Sequence, residues 1–374
     1  MATIGDTSAP STNTIYYNAL LSTTMDAYVK SGAMFDNIFK DSAFLALLRL
    51  KDGVKKQNGG ERIRAPLMYD DNNTIEAKSG YGVIDTTPQE GMTTAFYDWR
   101  ELAGSISISR LEERQNSGEA AILELLDQKK MQAEMTMRET LNRQLVQGEV
   151  SSTTFVPVQN SADNNALGLN PLGWFLRKDN TTDPTRGGNV GNIAGATQSW
   201  WRHRTAVIDS GSTDTGNAFA LSVTTYKGLV VALKRMYNYC LRGSGGAPNM
   251  VLFDQNTFET YENALDDKVR YLDTKMADMG FDTVKLKGAT CIWDEQVPDV
   301  DSGTVAITKG TAFFLNTNFY KLIIDSETDI VVTPFVEPEN QTVKTAKILF
   351  MGNAVCTNLR KLGVVYATSQ SIVS

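Results

Sequence analysis

The residues best suited to chemistry lie close together in this chain. His203, the single histidine, follows the pair Trp200-Trp201 and sits between Arg202 and Arg204. A glycine-rich run, GGNVGNIAGAT (187–197), leads into them, and DSGSTDTG (209–216) follows. Three chemistries are open to such a set. Glycines beside arginines can cradle a phosphate. A histidine is the usual general base near neutral pH. Two Asp-x-Gly copies, at Asp209 and Asp214, could share a proton as the paired carboxylates of aspartic proteases do.

None of the three patterns is complete. The glycine run lacks the Lys and Ser/Thr of a G-x-x-x-x-G-K-[ST] loop and the spacing of G-x-G-x-x-G. No nucleophile elbow accompanies His203, and a lone histidine between arginines reads as a surface or interface residue. The two Asp-x-Gly copies lie five residues apart in one polar loop, whereas a protease dyad draws them from separate lobes or subunits. One histidine excludes a multi-histidine zinc site, and Cys240, Cys291 and Cys356 are too far apart for a cysteine-rich one. DVDSG (299–303) begins like a calcium loop, but Gly310 stands where a bidentate Glu is needed. Asp266 and Asp267 are adjacent on an expected helix and point apart. The expectation is therefore no catalysis, no cofactor and no metal. The enzyme alternative is a hydrolase using His203 or Asp209 and Asp214.

Composition narrows the partners. The 374 residues exceed the usual size of one core, so at least two domains are expected. With 36 Lys and Arg against 43 Asp and Glu the chain is formally −7, which argues against tight duplex binding. Three sparse cysteines read as reduced, buried thiols. The N-terminus has no basic and apolar signal pattern, and no window is long and apolar enough for a membrane span.

The elements that would position these residues follow from pattern. Residues 1–60 read as an N-terminal arm, polar at first, with apolar groups at helical spacing over 19–50 and the breaker KDGVKKQNGG at 51–60. From Arg62 the period becomes two: Arg62, Ile63, Arg64, Ala65 alternate as in a strand exposed on one face. DDNNT (70–74) is turn chemistry, and GSISIS (104–109) alternates again. A polar β excursion over 61–113 cannot bury a core of its own and must rest on something else. Arg62, Arg64 and Lys78 are its candidate contacts to an acidic neighbouring copy.

A long helix is expected over 118–147, with Asn116 and Glu119 as a capping box and Gly148 as its stop. Its apolar stripe, Ile122, Leu126, Ala133, Met137, Leu141 and Leu145, is interrupted by Lys129 and Lys130. Residues 149–217 carry little regular signal. From 218 to 332 helix and strand text alternate as in a compact α/β domain. The tail, 333–374, returns to strand-like text and is expected to pair with earlier parts of the chain, making 218–332 an insertion.

This order of parts resembles the major capsid proteins of tailed bacteriophages. The stretches that carry the likeness are GNIAGATQSWWRHR (191–204), GGAPNMVLFDQNTFETYENAL (245–265), KGATCIWDEQVP (287–298), AFFLNTNFYKL (312–322) and GNAVCTNLRKLGVV (352–365). The resemblance implies an α+β, Hong Kong 97-like fold. Its parts would be an arm (1–60), an extended β loop (61–113), a peripheral domain (114–217 and 333–374) with a spine helix, and an inserted axial domain (218–332). It implies a self-assembling shell of pentamers and hexamers that encloses double-stranded DNA, located in the virion and assembled in the host cytoplasm. Implied partners are further copies of the chain, a separate scaffolding protein, a portal protein, a decoration protein, and packaged DNA held only loosely; no membrane is implied. A nanocompartment shell of the same fold is the alternative within assembly proteins. On this reading Gly195, Trp200, Trp201 and Arg202 pack a hinge between the spine-helix domain and the inserted domain, with Arg202 and Arg204 facing outward.

Overall fold

The structure, a computed structural model, describes residues 43–115, 125–147, 167–176, 189–195, 197–208, 219–221, 226–265, 284–297, 312–339 and 341–367. The expected first part of the arm, the capping pair Asn116 and Glu119, Gly148, Asp209, Asp214, Asp266-Asp267 and the stretch 299–310 lie outside the described residues. The chain divides into two compact units. The described part of the smaller unit comprises 102–115, 125–139, 330–339 and 341–350, and the larger takes the rest.

In the larger unit, strands of nearly continuous apolar text form the centre of a seven-stranded sheet. These are β7 (Arg204–Ile208), β8 (Phe219–Leu221), β9 (Met250–Phe253), β10 (Val284–Leu286), β11 (Ala289–Trp293), β12 (Ala312–Leu315) and β16 (Gly363–Ala367), in the order β10-β11-β9-β12-β16-β7-β8. Every residue of MVLF and AFFL is buried, as a strand covered on both faces requires. β12 runs antiparallel to β9 and β16, while β9 with β11 and β16 with β7 are parallel.

A helix, Tyr226–Leu241, lays Leu229, Val230, Leu233, Met236, Tyr237 and Cys240 against Val251, Phe253, Phe314 and Val365 of this sheet. Those positions recur every three or four residues, the spacing of one helical face. The following helix, Gln255–Asn263, starts at Asp254, whose carboxylate accepts the Thr257 N–H at 3.3 Å.

The text AFFLNTNFYKLII reads as one strand and folds as two. β12 ends at Leu315, and β13 (Tyr320–Asp325) belongs to a different sheet. Asn316 turns the chain between them. Its side chain accepts the Asn318 N–H at 3.0 Å and donates to the Ala247 carbonyl at 3.1 Å, and its own carbonyl accepts the Tyr320 N–H at 2.8 Å. β13 pairs in parallel with β1 (Val54–Gln57) and antiparallel with residues 352–356 of β15 (Val343–Cys356). All three cysteines are free and buried in this unit, as expected from their number and spacing.

The smaller unit is built on the other half of β15. Val331 and Val332 of β14 lie opposite Leu349 and Ile348, and β4 (Arg100–Ser109) also pairs with β15. The alternation expected for GSISIS is present: Ile106 and Ile108 are buried between more exposed neighbours. The long helix is described over Leu125–Val146, about 33 Å at ~1.5 Å per residue. Met137, Leu141 and Leu145 are buried along it; Lys129, which interrupts the apolar stripe, pairs with Glu112 at 3.0 Å and donates to the Ser107 carbonyl at 3.2 Å. Ile122 lies outside the described residues.

The β excursion is a hairpin in the larger unit. β2 (Ile63–Met68) and β3 (Met92–Tyr97) pair antiparallel, from Ile63 opposite Tyr97 to Met68 opposite Met92. Ile63, Ala65 and Leu67 are buried, and Arg64, Pro66 and Met68 are exposed. The excursion is thus one-sided at its root, and the 69–91 loop at its end is exposed almost throughout.

Candidate functional site

The double tryptophan and the glycine run meet at the root of this hairpin. Two short strands, β5 (Asn189–Val190) and β6 (Ile193–Ala194), are joined by Gly191 and Asn192, with φ of +63° and +64°. Positive φ at both central residues is the tight turn that matches strand twist. Gly191 is required twice over: its φ is positive, and a Cβ there would come within 2.7 Å of the Ala95 Cβ. Its carbonyl accepts the Phe96 N–H at 3.1 Å. The glycine run therefore clips onto β3.

Trp201 is buried, and its indole N–H donates to the Val190 carbonyl at 2.9 Å. Trp200 is half-buried. Its ring stacks on Tyr69 with centroids 5.2 Å apart and planes 21° apart, and its N–H donates to Gln198 Oε1 at 2.7 Å. Tyr69 is the first residue beyond β2, so Trp200 rests where the exposed loop leaves the hairpin. Arg202 Nε donates to the Gly195 carbonyl at 2.6 Å.

Three expectations about this stretch change. Arg202 turns its Nε back onto the Gly195 carbonyl of the glycine run. Arg204 is half-buried at the start of β7, where its own N–H joins the Leu362 carbonyl at 3.0 Å. His203 is not a surface histidine; it is 6% exposed, leading into a strand that is paired on both sides, by β16 and β8. The hydrolase candidates Asp209 and Asp214 lie outside the described residues.

The root is held from below by residues that periodicity did not single out. The Tyr97 hydroxyl donates to the Cys356 carbonyl at 2.7 Å, and burial raises its pKa well above the ordinary value. Tyr97 lies edge-on to Trp174, which contacts Phe175, which in turn meets Tyr320 edge-on with centroids 5.7 Å apart. Asn353 donates to the Asp98 carbonyl at 2.7 Å and accepts the Asn170 N–H at 2.9 Å. Trp174 and Phe175 belong to a four-residue helix, Leu172–Phe175, too short to show a period. Its only signal was an apolar LGWF after Pro171.

The candidate contact residues of the hairpin have partners within their own chain. Arg62 pairs with Asp98 at 3.2 Å, the Arg64 guanidinium lies 5.9 Å from the Phe96 ring centre, and Lys78 pairs with Glu76. Arg62 and Arg64 stand together on the exposed face of the root, while Lys78 is out on the loop. Exposed ion pairs contribute at most about 1 kcal/mol, so these leave the cations open to exchange.

A second buried fixture ties distant parts of the larger unit. Asp294, 2% exposed, accepts the Phe44 N–H at 3.1 Å, the Gln296 N–H at 2.9 Å and the Asn142 amide at 3.1 and 3.2 Å. It thereby joins the helix Ala43–Leu50, the long helix and the end of β11. Burial pushes its carboxyl above the ordinary range, against the pull of those donors. Burial likewise pushes the thiols of Cys240 and Cys356 up to about 12, so they stay protonated and inert. Among the described residues no group of His, Cys, Asp and Glu could hold a metal ion, and no helix is long and apolar enough to cross a membrane.

A mixed α+β chain with a projecting hairpin, a long helix and a separate α/β sheet has the fold of phage capsid subunits. No protein-family model and no curated protein matches the sequence. Solved structures do. The chain is similar to the capsid asymmetric unit of cyanophage A-1(L), with a TM-score of 0.60 and 14% identity over 90% of this chain and 95% of that one. It is also similar to the capsid of the Myoviridae phage XM1, at TM-score 0.51 and 12% identity, covering 90% and 95%. A third is the capsid of a native GTA particle, at TM-score 0.52 and 11% identity, covering 90% and 93%.

Proposed function

We propose that the chain is the major capsid protein of a tailed bacteriophage, a shell subunit without catalysis. The observation that carries this reading is the hairpin. Its root is fixed by buried aromatic and backbone contacts, while its tip presents Ile75, Tyr81, Val83 and Ile84 at 82, 103, 84 and 71% exposure. Large apolar groups clustered on a protruding loop mark a surface completed by another molecule. In a phage shell that molecule is the adjacent subunit.

The finer assignments go with this reading. Residues 1–60 form the arm, 61–113 the extended loop, 114–217 with 333–374 the peripheral domain and 218–332 the axial domain. Subunits close into pentamers and hexamers through heterologous contacts. Scaffolding, portal and decoration proteins are the other partners, and DNA inside the shell is held loosely by a chain of net charge −7. Gly195, Trp200, Trp201 and Arg202 are the packing fixture where the chain passes from the hairpin root into β7. Arg62, Arg64 and Lys78 exchange their own carboxylate and ring partners for contacts across the subunit boundary.

Electron microscopy of the purified protein, alone and coexpressed with a scaffolding protein, tests the reading. Closed shells or capsomer rings are expected. A protein that stays monomeric under every salt and crowding condition, scaffold included, contradicts it. Shells loaded with an enzyme instead of nucleic acid would move the reading to a nanocompartment.

A further inference from the structure

The acidic chain carries one concentration of positive charge that its own described carboxylates do not balance. It lies at the end of the helix Tyr226–Leu241, where Arg204, Arg242, Arg360 and Lys361 come together. Lys361 is buried, and its ammonium donates to the carbonyls of Leu241, Arg242, Gly243 and Gly246 at 3.2, 3.2, 2.9 and 3.3 Å. Carbonyls at a helix C-terminus carry partial negative charge and hold a cation there. The loop closes round the ammonium through Gly243, Gly245 and Gly246, all at positive φ. Lys361 is therefore a structural pin, already satisfied.

The arginines around it are not. Arg242 and Arg360 are exposed, and Arg242 is fixed with its guanidinium 4.3 Å from the Tyr239 ring centre. Arg204 is half-buried, and its Nε has no hydrogen-bond partner among the described residues. Burial, followed by repulsion from Arg360 and Arg242, lowers the Arg204 pKa. No ion pair among the described residues joins any of the three to a carboxylate. Guanidinium groups brought to one end of a helix with no carboxylate partner among the described residues, two of them at the surface, suit a ligand that brings several oxyanions.

The same chain offers such a ligand. The exposed loop 69–91 holds Asp70, Asp71, Glu76, Asp85 and Glu90 against the single Lys78, which Glu76 already engages. Asp70, Asp71 and Glu90 gather at the last rung of the hairpin, where the Tyr69 N–H meets the Gly91 carbonyl at 3.0 Å. We propose that Arg204, Arg242 and Arg360 receive the acidic loop 69–91 of a second copy, so that the hairpin's partner surface is the end of the helix Tyr226–Leu241. This rests on the shell reading above and adds the residues that meet.

A charge exchange tests it. Arg242→Glu/Arg360→Glu and Asp70→Lys/Asp71→Lys/Glu90→Lys are each made alone and then combined in one chain. All the changed side chains are exposed, and elution volume and thermal unfolding verify each subunit. Each set alone is expected to cut shell yield at least ~10-fold, since facing like charges oppose association, and the combination is expected to restore most of it. Arg242→Gln/Arg360→Gln, which removes charge without reversing it, should give a smaller loss that grows with added salt. Normal shells from either reversed set alone overturn the proposal while leaving the shell reading intact. So does a combined protein that folds but fails to recover. Normal shells with reduced nucleic-acid content from the arginine variant would reassign the cluster to phosphate. Failure of the unaltered chain to build shells removes both readings together.

Discussion

The two ends of one hairpin are built on opposite principles. At the root, Ile63, Ala65, Leu67, Ala95 and Tyr97 are buried, Gly191 lies against Ala95, and Tyr97 and Asn353 fasten the strands to β15. At the tip, some twenty residues later, Tyr81 is fully exposed, and the side-chain hydrogen bonds of Asp85 and Asn72 reach only residues two along. A subunit that needed the tip for its own stability would bury it. Rigidity is concentrated where direction is set, and the proposed shell would have a second chain cover the apolar and acidic groups left exposed at the tip. If the proposed shell forms, the same side-chain chemistry serves folding at one end and association at the other, and substitutions at the two ends should fail in different ways.

The largest effect on folding is expected at Trp201. It is buried and its N–H is satisfied by Val190, so Trp201→Ala should cost about 3–5 kcal/mol, the range for a buried aromatic. Urea unfolding of the isolated subunit measures it. A loss below about 1 kcal/mol would show that the root does not depend on this fixture.

Asp294→Asn comes next. Both carboxylate oxygens accept N–H donors, so the Asn amide must turn an NH2 toward one of them, at a cost of about 1–3 kcal/mol near neutral pH. The pH dependence has a definite sign. The folded-state pKa of Asp294 is raised, so the folded chain keeps a proton that the unfolded chain has already lost. Its contribution to stability therefore falls as pH rises from the ordinary carboxylate value through the raised one, and is level above that. Asn has no such proton. The advantage of Asp over Asn should be greatest in acid and shrink across that window. Urea unfolding of both proteins in matched buffers reads this difference, and parallel curves would contradict the assignment.

Trp200→Ala should be milder. Its ring is half-buried and mainly stacks on Tyr69, a contact of about 0.5–1.5 kcal/mol beyond area burial. The more telling readout is direction. With the stack gone, limited proteolysis should cut the 69–91 loop faster while the subunit's unfolding midpoint moves little. Unchanged cleavage would mean that Trp200 does not steady the loop.

Much of this was legible from sequence, and the failures have physical causes. Alternation over 62–65 and 104–109 gave strands because one face of each is buried. MVLF and the apolar positions of the helix after Tyr226 were legible because central strands and sheet-covering helices leave few polar positions. AFFLNTNFYKLII misled because Asn316 and Thr317 are buried and satisfied by side-chain bonds to the loop at 247–249, so a turn lies hidden inside apolar text. His203 misled for a related reason: polarity in sequence says nothing about depth when the next residue begins a strand paired on both sides. Trp200 and Trp201 looked like one plug. Their rings do touch, with centroids 5.6 Å apart, but Trp201 goes inward while Trp200 also stacks on Tyr69 at the start of the loop. The aromatic floor of Trp174 and Phe175 left no periodic trace, since four residues make no period.

The central claim is that the hairpin is folded at its root for the sake of contacts at its tip. Replacing residues 70–90 with a short Gly-Ser turn tests it most directly, because the β2–β3 register up to Met68 opposite Met92 is untouched. The expected product is a soluble chain whose unfolding free energy is within about 0.5 kcal/mol of the parent, as for surface changes generally, and which builds no closed shells with or without scaffold. Normal shells from the shortened chain, or a subunit that no longer folds, would contradict it.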